Sequence, residues 1–254
     1  MNITKRDEAE QCLACAMSIG EQLLISGAEV SRVEDTIRRV CMAYGASRVD
    51  VFSITSSIVT TMYCDGFSPC TQTRRVTGIS NDLNRLDELN QLARRICAKR
   101  PAPESIQEDL AKIMEESRYS FPIQVLTYAL ISGAFSVFFG GDVKDMVSAA
   151  LIGVLLKCFE SFVKRETENT MFTALLCSAA GGFLANLAVR AGLGNHADLI
   201  SIGNVMLLIP GIAFTNSLRD FFSGDTITGL TRFVESVLLA IIIALGFALP
   251  GFLF

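Results

Sequence analysis

The chain has 254 residues, half of them hydrophobic, with 26 acidic and 22 basic side chains and a formal net charge of −4. A balance so close to neutral excludes an electrostatic nucleic-acid binder, and the length leaves room for two domains. Charge is concentrated in residues 1–118, whereas long apolar segments dominate from Phe121 onward.

The first residues, Met1 to Glu10, are polar, and the next stretch of chain lacks both an apolar core and a small-residue cleavage site. No signal peptide is expected, so the N-terminal domain is expected to stay in the cytoplasm. Cys12, Ala16, Ile19 and Leu23 fall at helical spacing, as do Val30, Val33, Ile37, Val40 and Tyr44. Gly27 separates the two runs, Ser31 with Glu34 has the form of a capping box, and Gly45 is a natural stop. Two antiparallel helices are expected.

The character then changes. Val49, Val51, Phe52, Ile54, Ile58, Val59, Thr60, Thr61 and Tyr63 are the β-branched and aromatic types that strands prefer. Asp65-Gly66 is a turn signal before a third strand near Thr71 to Thr77. Helical periodicity returns with Leu86, Leu89, Ala93 and Ile96, and again with Ile106, Leu110 and Ile113, punctuated by Pro101 and Pro103. The order α-α-β-β-β-α-α suits a small cytoplasmic α+β domain over residues 1–118.

Residues 1–118 hold no histidine, which excludes a Ser-His or Cys-His nucleophile system there. A P-loop and a dinucleotide fingerprint are both missing, so ATP-driven export is unsupported. Six of the eight cysteines lie in this region, scattered, and Cys12 and Cys15 form a single CxxC with no second pair. Closed zinc sites want four well-spaced ligands, so free buried thiols are expected and neither a metal nor a cofactor. Glu29, Arg32, Glu34, Asp35 and Arg38 cluster on one helix. They suit a solvated face of ion pairs, or a gate or ligand sensor.

From residue 119 to 254 the chain reads as an α-helical membrane domain of about five transmembrane helices, near residues 122–140, 144–163, 171–190, 198–217 and 229–250. Lys164, Arg165, Arg219 and Arg232 flank links on one side and only Lys144 and Arg190 on the other. The positive-inside tendency then puts the N-terminus in the cytoplasm and the C-terminus outside. The third span is dense in small residues, Ser178 and Gly182 among them, as close helix packing or a substrate passage requires. Asn186 lies one turn beyond Gly182.

The segment Asn204 to Asp220 carries the most information. Pro210 and Gly211 interrupt a span, leaving backbone groups that lipid cannot satisfy. Such breaks are where secondary transporters place substrate sites. Asn204, Asn216 and Asp220 surround the break and offer donors and acceptors for a small polar metabolite. They are the candidate substrate-binding residues, together with Asn186, Pro210 and Gly211. Lys157 and Glu160, three apart in the second span, and Arg232 and Glu235, at the start of the fifth, are ionisable groups at membrane depth. With Glu29 and Glu34 they are the candidate coupling or gating residues. His196, the only histidine, falls in an outer link and reads as incidental.

Gly27-Ala28-Glu29 followed by Arg32-Val33-Glu34, then Leu208-Ile209-Pro210-Gly211 through Asn216, Asp220, Gly224-Asp225 and Gly229-Leu230, resemble the threonine/serine exporter family over essentially the whole chain. The resemblance implies proton-driven export of small polar metabolites, threonine and serine in some members and dicarboxylates such as succinate in others. Full-length members have about ten spans, whereas split members pair a chain like this one with a shorter companion membrane subunit. The resemblance thus implies a companion or a second copy. The rival reading is a membrane-anchored sensor or assembly factor with a partner-binding cytoplasmic domain. An intramembrane enzyme would need a nucleophile-base set or metal ligands in the spans, and these are not found.

Overall fold

The computed structural model describes residues 6–78, 80–115, 119–167 and 169–252. The chain divides into two compact units: Met1–Glu116 with Ile212–Phe233, and Ser117–Gly211 with Val234–Phe254.

In the first unit, α1 (Arg6–Ile25) and α2 (Val30–Ala43) precede β1 (Arg48–Ile54), β2 (Ser57–Tyr63) and β3 (Cys70–Arg75), which are followed by α3 (Leu83–Lys99) and α4 (Pro103–Glu115). This is the element order that periodicity predicts. The strands form one antiparallel sheet with β2 in the centre. The register pairs Val49 with Met62, Ser53 with Ile58, and Met62 with Cys70. Along β2, Ile58, Thr60 and Met62 are buried and alternate with half-buried neighbours, so one sheet face lies on the helices.

The core joins Leu13, Met17 and Leu24 of α1 to Ile37 of α2, Ile58 and Met62 of the sheet, and Leu89 and Ile96 of α3. The close approach of α1 to α2 depends on Gly20, where an added Cβ would stand 2.5 Å from Ile37 Cδ1. Cys12, Cys15 and Cys41 are buried here, and all eight cysteines are free. Burial pushes the Cys15 thiol up to about 11, as expected of a protonated core residue.

Two local expectations are corrected. The Ser31–Glu34 capping box does not form: α2 begins at Val30 with Glu29 in the cap position, which leaves Ser31 inside the helix. Glu34 instead accepts from Ser53 N at 2.8 Å and Ser53 Oγ at 3.1 Å, tying α2 to β1. A sheet amide outcompetes the local box because it has no other partner on that side. Gly66 does adopt a positive φ of 95°, but strand pairing resumes only at Cys70. The Asp65-Gly66 turn is therefore part of a longer loop.

The remaining helices are α5 (Phe121–Phe138), α6 (Val143–Glu166), α7 (Thr170–Arg190), α8 (Ala197–Leu208), α9 (Gly211–Phe222) and α10 (Thr226–Ala248), closed by a 3-10 turn, Leu249–Phe252. Four segments, α5, α6, α7 and α10 with its adjoining turn, are long and apolar enough to cross a membrane, and α8 with α9 qualify only as a pair. The described residues are thus mostly helical, with four to five candidate spans and one small sheet. The expected span at 198–217 is interrupted as the Pro-Gly signal predicts: helical bonding stops at Leu208, Ile209 is extended, and α9 starts at Gly211.

The second unit is built on small residues. A Cβ on Gly153 of α6 would lie 2.8 Å from Tyr128 O of α5, and one on Gly182 of α7 would lie 2.8 Å from Phe247 O of α10. Its apolar core is short, with Ala149, Ile152 and Leu156 of α6 meeting Ala185 of α7 and Ile200 of α8. Backbone-to-backbone contact supplies what a thick core supplies in the first unit.

Candidate functional site

The densest set of candidate residues lies in the first unit. Helix α1 ends at Ile25, and Gly27 turns the chain at φ 94°. The Gly27 and Ala28 amides donate back to Leu24 O and Leu23 O of α1, and Glu29 O accepts from Val33 N of α2, which leaves the carbonyls of Gly27 and Ala28 and the amide of Val30 to be met from elsewhere. Helix α9 and the first turns of α10 satisfy them. Asn216 Nδ2 donates to Gly27 O at 3.1 Å. Val30 N, the first amide of α2, donates to Asp220 Oδ1 at 3.2 Å. Arg232 donates to Ala28 O through two η nitrogens at 3.3 and 3.4 Å. The ion pair between Glu29 and Arg219 closes the set.

At its centre, Arg232 Nη1 meets Asp220 Oδ2 at 2.8 Å. The Asp220 side chain is fully buried and that of Arg232 is 7% exposed. A buried carboxylate is costly unless every lone pair is engaged. Here one oxygen takes the guanidinium and the other takes a helix N-terminal amide, where the helix dipole also favours negative charge. Arg232 thus pairs with Asp220 rather than with Glu235, which is exposed on α10 and joins none of these clusters.

The two glycine motifs shape this scaffold. Gly224 ends α9 in the left-handed region at φ 97°. Asp225 O accepts from Gly229 N at 2.8 Å to open α10. A Cβ on Gly229 would stand 2.6 Å from Phe221 N, so glycine lets α10 start hard against α9.

Other candidates lie in the second unit, in separate clusters. Glu160 accepts from Tyr128 Oη at 2.8 Å, Lys157 Nζ at 3.1 Å and Lys164 Nζ at 2.5 Å. Lys157 also sits 4.8 Å from the centre of the Tyr128 ring. Asn204 is fully buried between α8 and α5, accepting from Ser132 Oγ at 3.0 Å and donating to Ile200 O at 2.9 Å. Asn186 donates to Gly182 O one turn back at 2.9 Å. Pro210 is half-buried and Gly211 exposed at the helix break. Glu34, in the first unit, is occupied by Ser53 and stands apart from the Asp220 cluster.

His196 is not incidental. Its Nδ1 lies 2.8 Å from Asp145 Oδ2, and Asp145 also accepts from Asn195 N at 2.7 Å, His196 N at 3.0 Å and Asp142 N at 3.2 Å. Asp142 and Asp145 form a capping box at the start of α6, and Asn195 donates to Asp142 as well. The hydrogen bond to Asp145 raises the His196 pKa above its ordinary value. Amides from Asp145 and Asn195 lower that of Asp142. These three side chains bring possible ligand atoms within 4.8 Å of one another. With Asp145 already accepting four hydrogen bonds, the cluster works as a clasp holding the α7–α8 link to α6. The Asp-x-x-Asp spacing is the signal that would have found it.

Among the described residues, four helices and one bent pair are long and apolar enough to cross a membrane, which marks a multi-pass membrane protein. The chain belongs to the threonine/serine exporter family, whose family model (ThrE) matches residues 14–251. It is a family of transporters, not of enzymes. The threonine/serine exporter of Corynebacterium glutamicum is 27% identical over 250 residues, covering 94% of this chain and 50% of that protein. A "probable threonine/serine exporter" of Mycobacterium tuberculosis is 24% identical, covering 92% and 44%. The "probable succinate transporter subunit YjjP" of Klebsiella aerogenes is 22% identical, covering 94% and 93%. The chain thus spans about half the length of the first two relatives and nearly all of the third. No solved structure matches it.

Proposed function

We propose that this chain is a subunit of a secondary-active exporter that moves small polar metabolites, threonine and serine or a dicarboxylate such as succinate, out of the cell on the proton gradient. In this reading the α+β portion faces the cytoplasm and the C-terminus lies outside. A companion membrane subunit or a second copy completes the pathway, because one relative of nearly equal length carries the name of a transporter subunit.

The observation that carries the reading is the Asp220–Arg232 pair and its grip on Ala28 and Val30. A buried ion pair holding a four-residue connection between two helices is an element with two states. Paired, it fixes the Gly27–Val30 connection; with Asp220 protonated, Arg232 and the α2 amide lose their anion and the connection is released. Asp220 therefore serves as the coupling carboxylate, Arg232 and Glu29 as gating residues, and Asn216 as the hinge tether. Asn204, Asn186 and the helix break at Pro210-Gly211 are the substrate contacts, and Lys157 with Glu160 is a second charge pair available for coupling.

The test is efflux of preloaded labelled threonine and succinate from cells carrying the chain with and without its candidate companion. Asp220→Asn is expected to abolish gradient-driven efflux while membrane insertion persists. Asn204→Ala and Asn216→Ala are expected to slow it. Wild-type rates in Asp220→Asn would remove the pair from the mechanism.

A further inference from the structure

Helices α2 and α3 of the first unit enclose a groove of about 550 Å³ on the face that carries Arg32, Asp35 and Arg39 from one helix and Asn90, Arg94 and Cys97 from the other. These positions recur at three- and four-residue spacing, so each helix presents one continuous stripe to the groove. Arg32 Nε donates to Asn90 Oδ1 at 3.1 Å, and Arg39 Nε meets Asp35 at 2.6 Å. Both bonds are made through the ε nitrogen. Arg94 is exposed and lines the same groove. Cys97 lines the same groove as Arg39, and burial raises its thiol pKa.

We propose that this groove binds a small molecule bearing a phosphate group. Three arginines against one aspartate leave the lining with an excess of positive charge that matches a phosphate monoester of about −2 and its three acceptor oxygens. Guanidinium is the side chain suited to that geometry, presenting paired donors in a fixed plane. The volume lies in the range of small-molecule pockets. Ala93 and Ala98 give the lining an apolar part for the organic portion of the ligand. A dicarboxylate matches the charge but not the number of acceptors on one centre. The surface pair between Asp35 and Arg39 is exposed and weak, so it does not bar a doubly charged guest. The site is distinct from the Asp220 cluster and independent of any transport reading.

The test uses the full chain in detergent micelles, with adenosine monophosphate and inorganic pyrophosphate as phosphate probes, and adenosine, succinate and phosphatidylglycerol vesicles as contrasts. Equilibrium binding is paired with the iodoacetamide alkylation rate of Cys97, resolved by mass spectrometry against exposed Cys158. At least one phosphate probe is expected to bind saturably and to slow alkylation of Cys97 but not of Cys158, with no effect from adenosine. Arg94→Ala, a change at an exposed position, is expected to weaken binding about tenfold, with partial recovery in Arg94→Lys. Protection by phosphatidylglycerol vesicles alone assigns the same phosphate chemistry to a lipid headgroup. Failure of every phosphate probe and of the vesicles overturns the proposal, as does equal protection by succinate or unchanged binding in Arg94→Ala.

Discussion

The Asp220 cluster of the first unit and the Asn204 cluster of the second handle buried polarity in opposite ways. Asp220 is a charge fully removed from water, held by a guanidinium and by the amide of a residue 190 positions earlier. Asn204 is neutral and sits among small residues, bonded to a serine across the helix interface and to its own preceding turn. The first arrangement is all-or-none, because removing either partner strands a charge in the interior. The second is graded, since an interhelical amide bond can be lost with little reorganisation. A switch requires the first kind of contact.

The sharpest way to break this contrast is Arg232→Leu, which leaves Asp220 buried without its cation. Destabilisation of about 3–5 kcal/mol is expected in denaturant unfolding of the purified chain. The double variant Arg232→Leu/Asp220→Asn should regain a substantial part of that loss. Equal unfolding midpoints for wild type and Arg232→Leu would show that the pair is solvated. Next in size is Gly203→Val in the second unit, whose new side chain would overlap Ser132 O and the Ser136 backbone. Overpacking of that interface should cost about 1–3 kcal/mol. Gly211→Ala, where an added Cβ meets open space, is the matched control and should stay within about 0.5 kcal/mol.

Local signals carried far into this fold. Helical spacing at Cys12 to Leu23 and at Val30 to Tyr44, the β-branched run from Val49 to Tyr63, and Pro210-Gly211 each announce an element or a break that the structure contains. What periodicity does not report is which distant group each polar side chain meets. Glu34 looks local, three residues after Ser31, yet its partner is Ser53 on a strand. Arg232 looks like a partner for Glu235 one turn on, yet it meets Asp220 across a turn. The Gly-Ala-Glu motif was legible as a motif, but its physical role lies in the carbonyl of Ala28 and the amide of Val30. Backbone atoms have no letter in the sequence.

A smaller effect sharpens the neutral side of the comparison. Ser132→Ala removes the donor to Asn204 without adding volume. The expected loss is about 0.6 kcal/mol, the average for interhelical hydrogen bonds in membranes. A loss several times larger would place Asn204 in the same all-or-none class as Asp220, and the contrast between the two clusters would fail.

The least costly contact to break is the His196–Asp145 clasp, because the imidazole is exposed. Its contribution has a defined direction with pH. The hydrogen bond to Asp145 raises the folded-state pKa of His196 above its ordinary value of 6.5, so folding favours the protonated ring. The stabilisation is therefore fully present below pH 6.5 and disappears as pH rises through the higher folded-state value. Asp145 keeps its three backbone donors throughout, so the α7–α8 link should stay in place and only its margin should change. Comparing unfolding of wild type and His196→Gln between pH 5 and pH 9 reads this directly. The two curves are expected to lie apart at low pH and to converge at high pH. Curves that converge instead as the solution is acidified would mean that the ring is held neutral, with Nδ1–H donating to Asp145.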